Sequence, residues 1–361
     1  MQSKFRLLVV RLGAMGDILH ALPAVTALRL AHPGWQIDWV VEPAWTPLLT
    51  TESASTRGPG YRDLERPLVD NIHLAAVKVW ARSPLSWKTW REISNLRRAL
   101  RAARYDAVLD FQGAVRSALI ARLTGCRRVI GEADPREPTA KWFFTERAET
   151  RGVHVIEQDV EVASAVAGDA LEPVLPLLPT DPAAEAWCDA LLGVGRGLAS
   201  QPPIVLLNPG AGWGAKRWPV ERYAAVARQL AERGFSVVVN AGPGETELTE
   251  TIRVQSNSAA LAAACSLSQL IALTRRISLA IAGDTGPLHL ACALGKPVVG
   301  IFGPTDPARN GPFGTRFRVL RSTESKRDHT RRAEPEAGLL TIQPEDVLQA
   351  ADELLAEQAV R

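Results

Sequence analysis

The sequence predicts an α/β protein built from two Rossmann-like parallel-sheet domains, and three observations carry that expectation. Its 361 residues, 46% hydrophobic and 22% charged, exceed what one core comfortably serves and suit two domains of roughly 150 to 180 residues. Short β-branched runs alternate with amphipathic stretches in both halves, the pattern of a parallel sheet covered by helices on both faces. Between the halves lies "LEPVLPLLPTDPAAEAW", whose Pro173, Pro176, Pro179 and Pro182 exclude a continuous helix or a central strand.

In the first half, "RLLVV" (6–10), "QIDWVVE" (36–42), "IHLAAVKV" (72–79), "AVLDF" (107–111) and "RRVIG" (127–131) read as strands, with helices near 17–31, 87–104 and 114–124. These set a first domain at 1–172 and a Pro-rich linker region at 173–203. The alternation restarts with a strand at 204–208, a helix near 219–233, a strand at 235–242 and a helix from about 244. A helix at 266–276 and strands within 277–286 and 296–304 complete a second domain at 204–340. The polar stretch "RSTESKRDHTRRAEPEAG" (321–338) matches no motif. A final helix within 341–361 starts at Pro344, with Glu345 and Asp346 at its positive end; the pattern lets it pack on either domain.

Composition narrows the setting. Cys126, Cys188, Cys265 and Cys292 are scattered, with no C-x-x-C and no His at ligand spacing, so neither a zinc site nor a disulfide framework is expected and a reducing cytosol fits. The apolar run at the N-terminus, Leu7 to Val10, is too short for a signal sequence or a membrane span. A net charge of +3 conceals a basic region: from Lys78 to Arg151 there are sixteen Lys and Arg against eight Asp and Glu, together with Trp80, Trp87, Trp90 and Trp142. Such a segment is either a solvated helix face or a platform for an anionic membrane surface, where Trp rings sit at headgroup level. No nucleic-acid motif accompanies it, so nucleic acid is not an expected partner.

The stretch "VVRLGAMGDILHALPA" (9–24) joins the first strand to the first helix through Gly13 and Gly16. A strand, a glycine turn and a helix start open a dinucleotide fold, and Glu42 at the end of the second strand imitates its ribose-binding carboxylate. Yet G-x-G-x-x-G is missing, and Asp17 stands at the helix start, where a carboxylate repels a pyrophosphate. Asp17 is a helix N-cap or a catalytic carboxylate at the end of a parallel strand. The two roles are compatible, since capping by one oxygen leaves the other available.

Phosphate chemistry has better places in the second half. "NPGAGWGAKRWP" follows a strand and carries Gly210, Gly212 and Gly214 before Lys216 and Arg217, letting backbone and cations approach an anion, although it is no Walker motif. In "AGDTGPLHLA", Asp284, Thr285 and Gly286 lie between a strand and a helix start, a natural anion site, and His289 one turn later can add a donor. Glu245 in "AGPGETE" can accept from ribose hydroxyls.

These motifs, with "YDAVLDFQGAVRSAL" (105–119), "ADPREP" (133–138) and "FGPTDP" (302–307), resemble the bacterial ADP-heptose:lipopolysaccharide heptosyltransferases, glycosyltransferase family 9, over nearly the whole chain. The first-half loops look most like heptosyltransferase I, which adds the first heptose to Kdo, a 2-keto sugar acid of the inner core; "GAKRWP" looks as much like heptosyltransferase II. The resemblance implies a GT-B architecture, two Rossmann-like domains facing a central cleft. It implies ADP-heptose as donor, a Kdo-containing lipid A acceptor, and a cytoplasmic enzyme peripheral on the inner face of the membrane, with no metal or cofactor. It makes Asp17 the general base and sets Lys216 on the donor diphosphate. Gly212, Asp284, Thr285 and Gly286 would hold donor phosphate and heptose, with Glu245 and His289 on ribose and phosphate. On the acceptor side it puts Gly13, Gln112 and Arg136, with Arg82, Lys88 and Arg91 as the candidate basic patch.

The implied reaction is a single displacement at the anomeric carbon with inversion. A carboxylate takes the acceptor hydroxyl proton, cations and backbone dipoles receive the charge gathering on ADP, and domain closure excludes water. Three alternatives stay open on sequence alone: a nucleotide-sugar epimerase on the same fold, an NAD oxidoreductase, and a non-enzymatic lipid-binding module using the basic Trp-containing segment.

Overall fold

The computed structural model describes residues 4–58, 60–193, 202–242, 244–328, 330 and 332–359. The chain divides into two compact units, residues 1–180 and 181–361. Residues 194–201 of the expected linker, and His329 and Arg331 of the polar stretch, lie outside the described residues.

The first unit runs β1 (Arg6–Val10), α1 (Met15–Ala31), β2 (Gln36–Val41), α2 (Glu52–Ser55), β3 (Asn71–Leu74), α3 (Val77–Arg82), α4 (Trp87–Ala103), β4 (Ala107–Asp110), α5 (Val115–Leu123), β5 (Val129–Glu132), β6 (Glu146–Ala148) and α6 (Val155–Ala167). Its six strands are parallel in the order β3-β2-β1-β4-β5-β6. The second unit runs α7 (Pro182–Leu192), β7 (Ile204–Asn208), α8 (Val220–Glu232), β8 (Ser236–Ala241), α9 (Thr246–Gln255), β9 (Ala260–Ala264), α10 (Leu267–Arg276), β10 (Leu279–Gly283), α11 (Gly286–Ala293), β11 (Val298–Phe302), α12 (Pro307–Asn310), β12 (Phe317–Arg321) and α13 (Pro344–Ala359). Its sheet, also parallel, has the order β12-β11-β10-β7-β8-β9.

The central strands β1, β4, β7, β10 and β11 are almost wholly buried, as strands sandwiched between two helical layers must be. That explains why they read as continuous apolar runs. Helix α1 is also buried nearly all round and packs on α6, so it shows little amphipathic contrast. Helix α4, by contrast, sends Leu96 and Leu100 into the core and its charged residues outward.

The two-domain α/β expectation holds, and several local expectations are corrected. The stretch at 72–79 is strand only to Leu74; Val77 begins α3, which turns Trp80 into the core and donates its indole N–H to Glu92 Oε2 at 2.8 Å. The linker region contains a helix, α7, started by Asp181 as N-cap and Pro182 behind it. Arg275 and Arg276 of α10 pair with Glu185 and Asp189 of α7, which fastens it to the second unit. The boundary falls after Thr180, inside the 173–203 linker region, and α7 joins the second unit. Helix α13 packs on α8 and β10–β12 of the second unit, burying Val347, Leu348, Ala351 and Leu354, and so belongs to it. Strands β6, β9 and β12 and helix α6 carried too little sequence pattern to be expected.

Strand order decides where ligands go. The chain leaves β1 toward β2 on one side, and β4 lies on the other; the same reversal occurs at β7, between β8 and β10. In doubly wound sheets the crevice at such a reversal, beyond the carboxyl ends of the strands, is the binding position.

Candidate active site

At the first reversal the loop after β1 meets the turn after β4. Asp17 occupies the third position of α1, and Ala14 is the N-cap, which corrects the N-cap reading. The Asp17 carboxylate still serves the helix start, accepting the Ala14 N–H through Oδ2 at 2.9 Å. Its Oδ1 lies 3.5 Å from Nη2 of Arg11, and its side chain is 36% exposed. Arg11 is buried; its Nε donates to the Asp17 carbonyl at 3.1 Å. The second oxygen is therefore held beside a guanidinium and is not simply left over from capping. Sequence reasoning passed over Arg11, because a basic residue ending a strand reads as surface.

Gly13 does not open space for a sugar. With φ at +152°, its missing side chain admits the Trp45 indole, whose Nε1 would lie 2.5 Å from an added Cβ. That Nε1 is buried and has no hydrogen-bond partner among the described residues. Gln112 is buried and accepts the Leu12 N–H at 3.1 Å through Oε1, so it joins the two loops instead of facing solvent. Arg136 is exposed, and its backbone N lies 3.0 Å from where a Gly113 Cβ would stand. Its neighbour Glu137 donates N–H to the Gly113 carbonyl at 2.8 Å and accepts the Val115 N–H at 2.9 Å, so the "REP" segment is docked on the "QG" turn. Glu42, a ribose candidate by sequence, instead pairs with Lys78 at 3.0 Å. Arg82, Lys88 and Arg91 are exposed on α3 and α4 with Trp87 and Trp90, which are 78% and 58% exposed.

Beneath both loops lies Asp110, 2% exposed at the end of β4. Burial raises its carboxyl from 3.8 to about 6, against the Ser117, Gly113 and Gln112 hydrogen bonds that favour ionisation. The native state thus keeps this proton where the unfolded chain releases it. The group's contribution to stability is intact below about pH 4 and is lost as pH rises through about 6. Stability should fall by about 2 kcal/mol between pH 4 and 7 on this account. Urea unfolding of the parent and Asp110→Asn at both pH values checks this: the difference between them should change by that amount, and a constant difference removes the assignment.

At the second reversal Lys216, Asp284 and His289 form a cluster. Lys216 ends a short 3₁₀ turn, Gly214–Lys216, and its Nζ pairs with Asp284 Oδ2 and stands 4.2 Å from the Trp213 ring centroid. His289 Nε2 lies 3.3 Å from Asp284 Oδ1. The Lys216 and Asp284 side chains are 11% and 9% exposed. Burial alone would push the Asp284 carboxyl up; His289 and Lys216 more than reverse this and hold it well below the usual range. Asp284 therefore anchors both Lys216 and His289 here, and the His289 Nε2 is directed to it rather than into an anion position.

The turn at Thr285 is a weaker anion cradle than expected. The Thr285 hydroxyl donates to the Gly283 carbonyl at 3.2 Å, Pro287 has no N–H, and the Leu288 N–H is used by the Thr285 carbonyl. Gly286, the first residue of α11, keeps a backbone N–H at the helix start. Glu245 lies against Gly210 and accepts the Gly242 N–H at 3.0 Å, so the loops after β7 and β8 meet. Gly212 is exposed, with open space where a side chain would be.

The polar stretch lies against this site. Ala215 donates N–H to the Arg332 carbonyl and accepts that of Glu336, each at 3.1 Å, and a Cβ on Gly214 would collide with the Ala333 carbonyl. Upstream, the Asp328 N–H donates to the Pro304 carbonyl at 3.0 Å and Arg327 pairs with Asp306. This strap fastens the turn that carries Lys216.

A family model for glycosyltransferase family 9 (heptosyltransferase) matches residues 93–339. The chain belongs to that family. Lipopolysaccharide heptosyltransferase 1 of Pseudomonas aeruginosa is 30% identical over 323 residues, covering 86% of this chain and 81% of its own. Lipopolysaccharide heptosyltransferase 2 of Salmonella typhimurium is 32% identical over 174 residues, 45% of this chain. Among solved structures, E. coli heptosyltransferase WaaC with ADP has a TM-score of 0.77 at 25% identity, covering 97% of this chain and all of that one. As a heptosyltransferase-family glycosyltransferase of GT-B type, the chain is an enzyme, which sets aside the oxidoreductase and lipid-module readings. Among the described residues no group of three or more His, Cys, Asp or Glu could hold a metal ion, and no helix is long and apolar enough to cross a membrane.

Proposed function

We propose that this glycosyltransferase moves L-glycero-D-manno-heptose from ADP-heptose to a Kdo residue of the lipopolysaccharide inner core, with inversion. The observation that carries the reading is that each unit holds a charged cluster at its own sheet reversal: a partly exposed, doubly held carboxylate, Asp17, in the first and a buried Lys216–Asp284–His289 cluster in the second. The near full-length likeness to type 1 relatives supports the acceptor, and the solved relative with ADP supports the nucleotide.

An acceptor hydroxyl is a poor nucleophile near neutral pH, so Asp17 takes its proton as the glycosidic bond forms. Fixing one oxygen on the Ala14 N–H and the other near Arg11 aims the carboxylate before substrate arrives. On the donor side Lys216 meets the charge that grows on ADP as the bond to the anomeric carbon breaks. Asp284 holds that ammonium in place, the strap fixes its turn, and Glu245 takes the ribose. No divalent ion is required, because the cation is supplied by the chain.

The test is a donor panel of ADP-heptose, ADP-glucose, UDP- and GDP-sugars against Kdo-lipid A and an already heptosylated acceptor, with and without EDTA. Transfer from ADP-heptose to Kdo-lipid A, unaffected by EDTA, is expected. Transfer confined to the heptosylated acceptor establishes the type 2 reading, and product from donor without acceptor establishes an epimerase.

Exposed Trp87, Trp90 and Leu85 beside Arg82, Lys88 and Arg91 form the surface proposed to meet the anionic membrane on the cytoplasmic side. Trp side chains anchor at headgroup depth while the cations meet phosphate. The Trp87→Ala/Trp90→Ala double variant should sediment several-fold less with anionic vesicles. Equal sedimentation of the two proteins removes this assignment.

A further inference from the structure

Asp110 is a buried group that the proposed chemistry does not use. Its Oδ1 accepts from the Gln112 N–H at 2.8 Å, the Gly113 N–H at 3.0 Å and the Ser117 hydroxyl at 3.0 Å. Its Oδ2 is buried with no hydrogen-bond partner among the described residues. An unsatisfied buried carboxylate oxygen is expensive, and a neutral side chain would hold the same turn more cheaply.

The contacts running outward from that turn are all on the acceptor side. Gln112 holds the Leu12 N–H, the residue before Gly13. Gly113, at φ +60°, accepts the Glu137 N–H beside Arg136. On the neighbouring strand Val10 is the register partner of Asp110, and Arg11 follows it. The Arg11 guanidinium lies close enough to act on Asp110 electrostatically while holding Asp17. The charged groups around the knot are thus Arg11 after β1, Asp17 from α1, and Arg136 and Glu137 from the segment after β5, Glu137 accepting the Val115 N–H that starts α5; β5 itself offers only Gly131 as register partner.

We propose that Asp110 is a positioning residue for the acceptor half of the reaction, whose ionised carboxylate clamps the β4–α5 turn and, through Gln112 and Arg11, sets the loop that carries Asp17. It touches no reacting atom. Ionised, Oδ1 makes charge-assisted bonds that tighten the turn; protonated, the same bonds weaken. The inference rests on Asp17 being the base.

Asp110→Asn keeps an oxygen for the three donors and removes the charge. Its kcat should fall about ten- to a hundredfold and its acceptor KM should rise, with donor KM unchanged. The parent should lose acceptor kcat/KM as pH falls through about 6, and Asp110→Asn should lack that step; any step kept by both proteins belongs to the acceptor's phosphates. Ser117→Ala removes a bond that favours the ionised form and should move the step to higher pH, which decides the matter even if Asp110→Asn folds poorly. Superimposable profiles for parent and Asp110→Asn, an unmoved step in Ser117→Ala, or donor and acceptor constants declining together overturn the proposal. If Asp17→Asn turns over normally, the base reading fails and this one with it. If Asp17→Asn is inactive while both Asp110→Asn and Ser117→Ala match the parent, only the positioning role fails.

Discussion

Asp17→Asn should lower turnover by about two to four orders of magnitude while leaving ADP affinity nearly unchanged. The size follows from what the side chain must do. An amide cannot accept the hydroxyl proton, yet it can keep the Ala14 N–H bond through its oxygen, so α1 still starts where it does. Arg11 would then face a neutral partner across 3.5 Å, a small stability change for a pair in which one side chain is partly solvated. Steady-state kinetics on Kdo-lipid A with calorimetric ADP titration measures both quantities. Undiminished turnover would remove Asp17 as the base, and a parallel loss of ADP affinity would mean the substitution had spread beyond its loop.

Lys216→Ala should damage both activity and stability, because Lys216 serves two partners. Without it the charge developing on the departing ADP loses its positioned cation, and kcat should fall about a hundred- to a thousandfold. In the unliganded protein Asp284 keeps only His289, and leaving a buried carboxylate half-compensated should cost about 3 kcal/mol at pH 7. The sign with pH follows from the depressed Asp284 carboxyl. Its stabilising contribution is present above the ordinary value of 3.8 and disappears only as pH falls through the still lower folded value. In the variant, burial takes over and protonation comes at higher pH, so the deficit should be largest near neutrality and narrow toward pH 4. Urea unfolding across that range measures it; a deficit that does not change with pH would mean that Lys216 stabilises by packing on Trp213 rather than by pairing.

Both substitutions involve residues that were visible in the sequence, and their partners were not. Asp17, Lys216, Asp284 and Glu245 stood out because each follows an apolar strand and sits in a glycine-containing turn, a local pattern. Arg11, Trp45 and Glu137 did not, because their importance lies in contacts with residues chosen by the fold. Gly13 shows the same limit: an open turn by sequence, it is filled by an indole from 32 positions along the chain. The strap at 322–336 was unreadable for a different reason. It has no periodicity, and its backbone pairs with Ala215 and Pro304, more than a hundred and about twenty positions away respectively. Two of the local errors are of one kind: "IHLAAVKV" and the Pro-rich passage each contain a helix whose start depends on what the next segment packs against.

The amino-acid sequence was enough to establish two α/β halves, the strand ends that open into glycine-containing turns, and the charged and polar residue types placed there, because apolar periodicity, turn residues and motif spacing are properties of neighbours in the chain. Tertiary structure alone decided which strand ends lie side by side at the two sheet reversals, and hence that Arg11 lies against Asp17, that Asp284 gathers Lys216 and His289, and that Asp110 is buried under the loops after β1 and β4. A buried charge must be met by an opposite charge or a hydrogen bond wherever the fold brings one, and no distance along the sequence states where that will be.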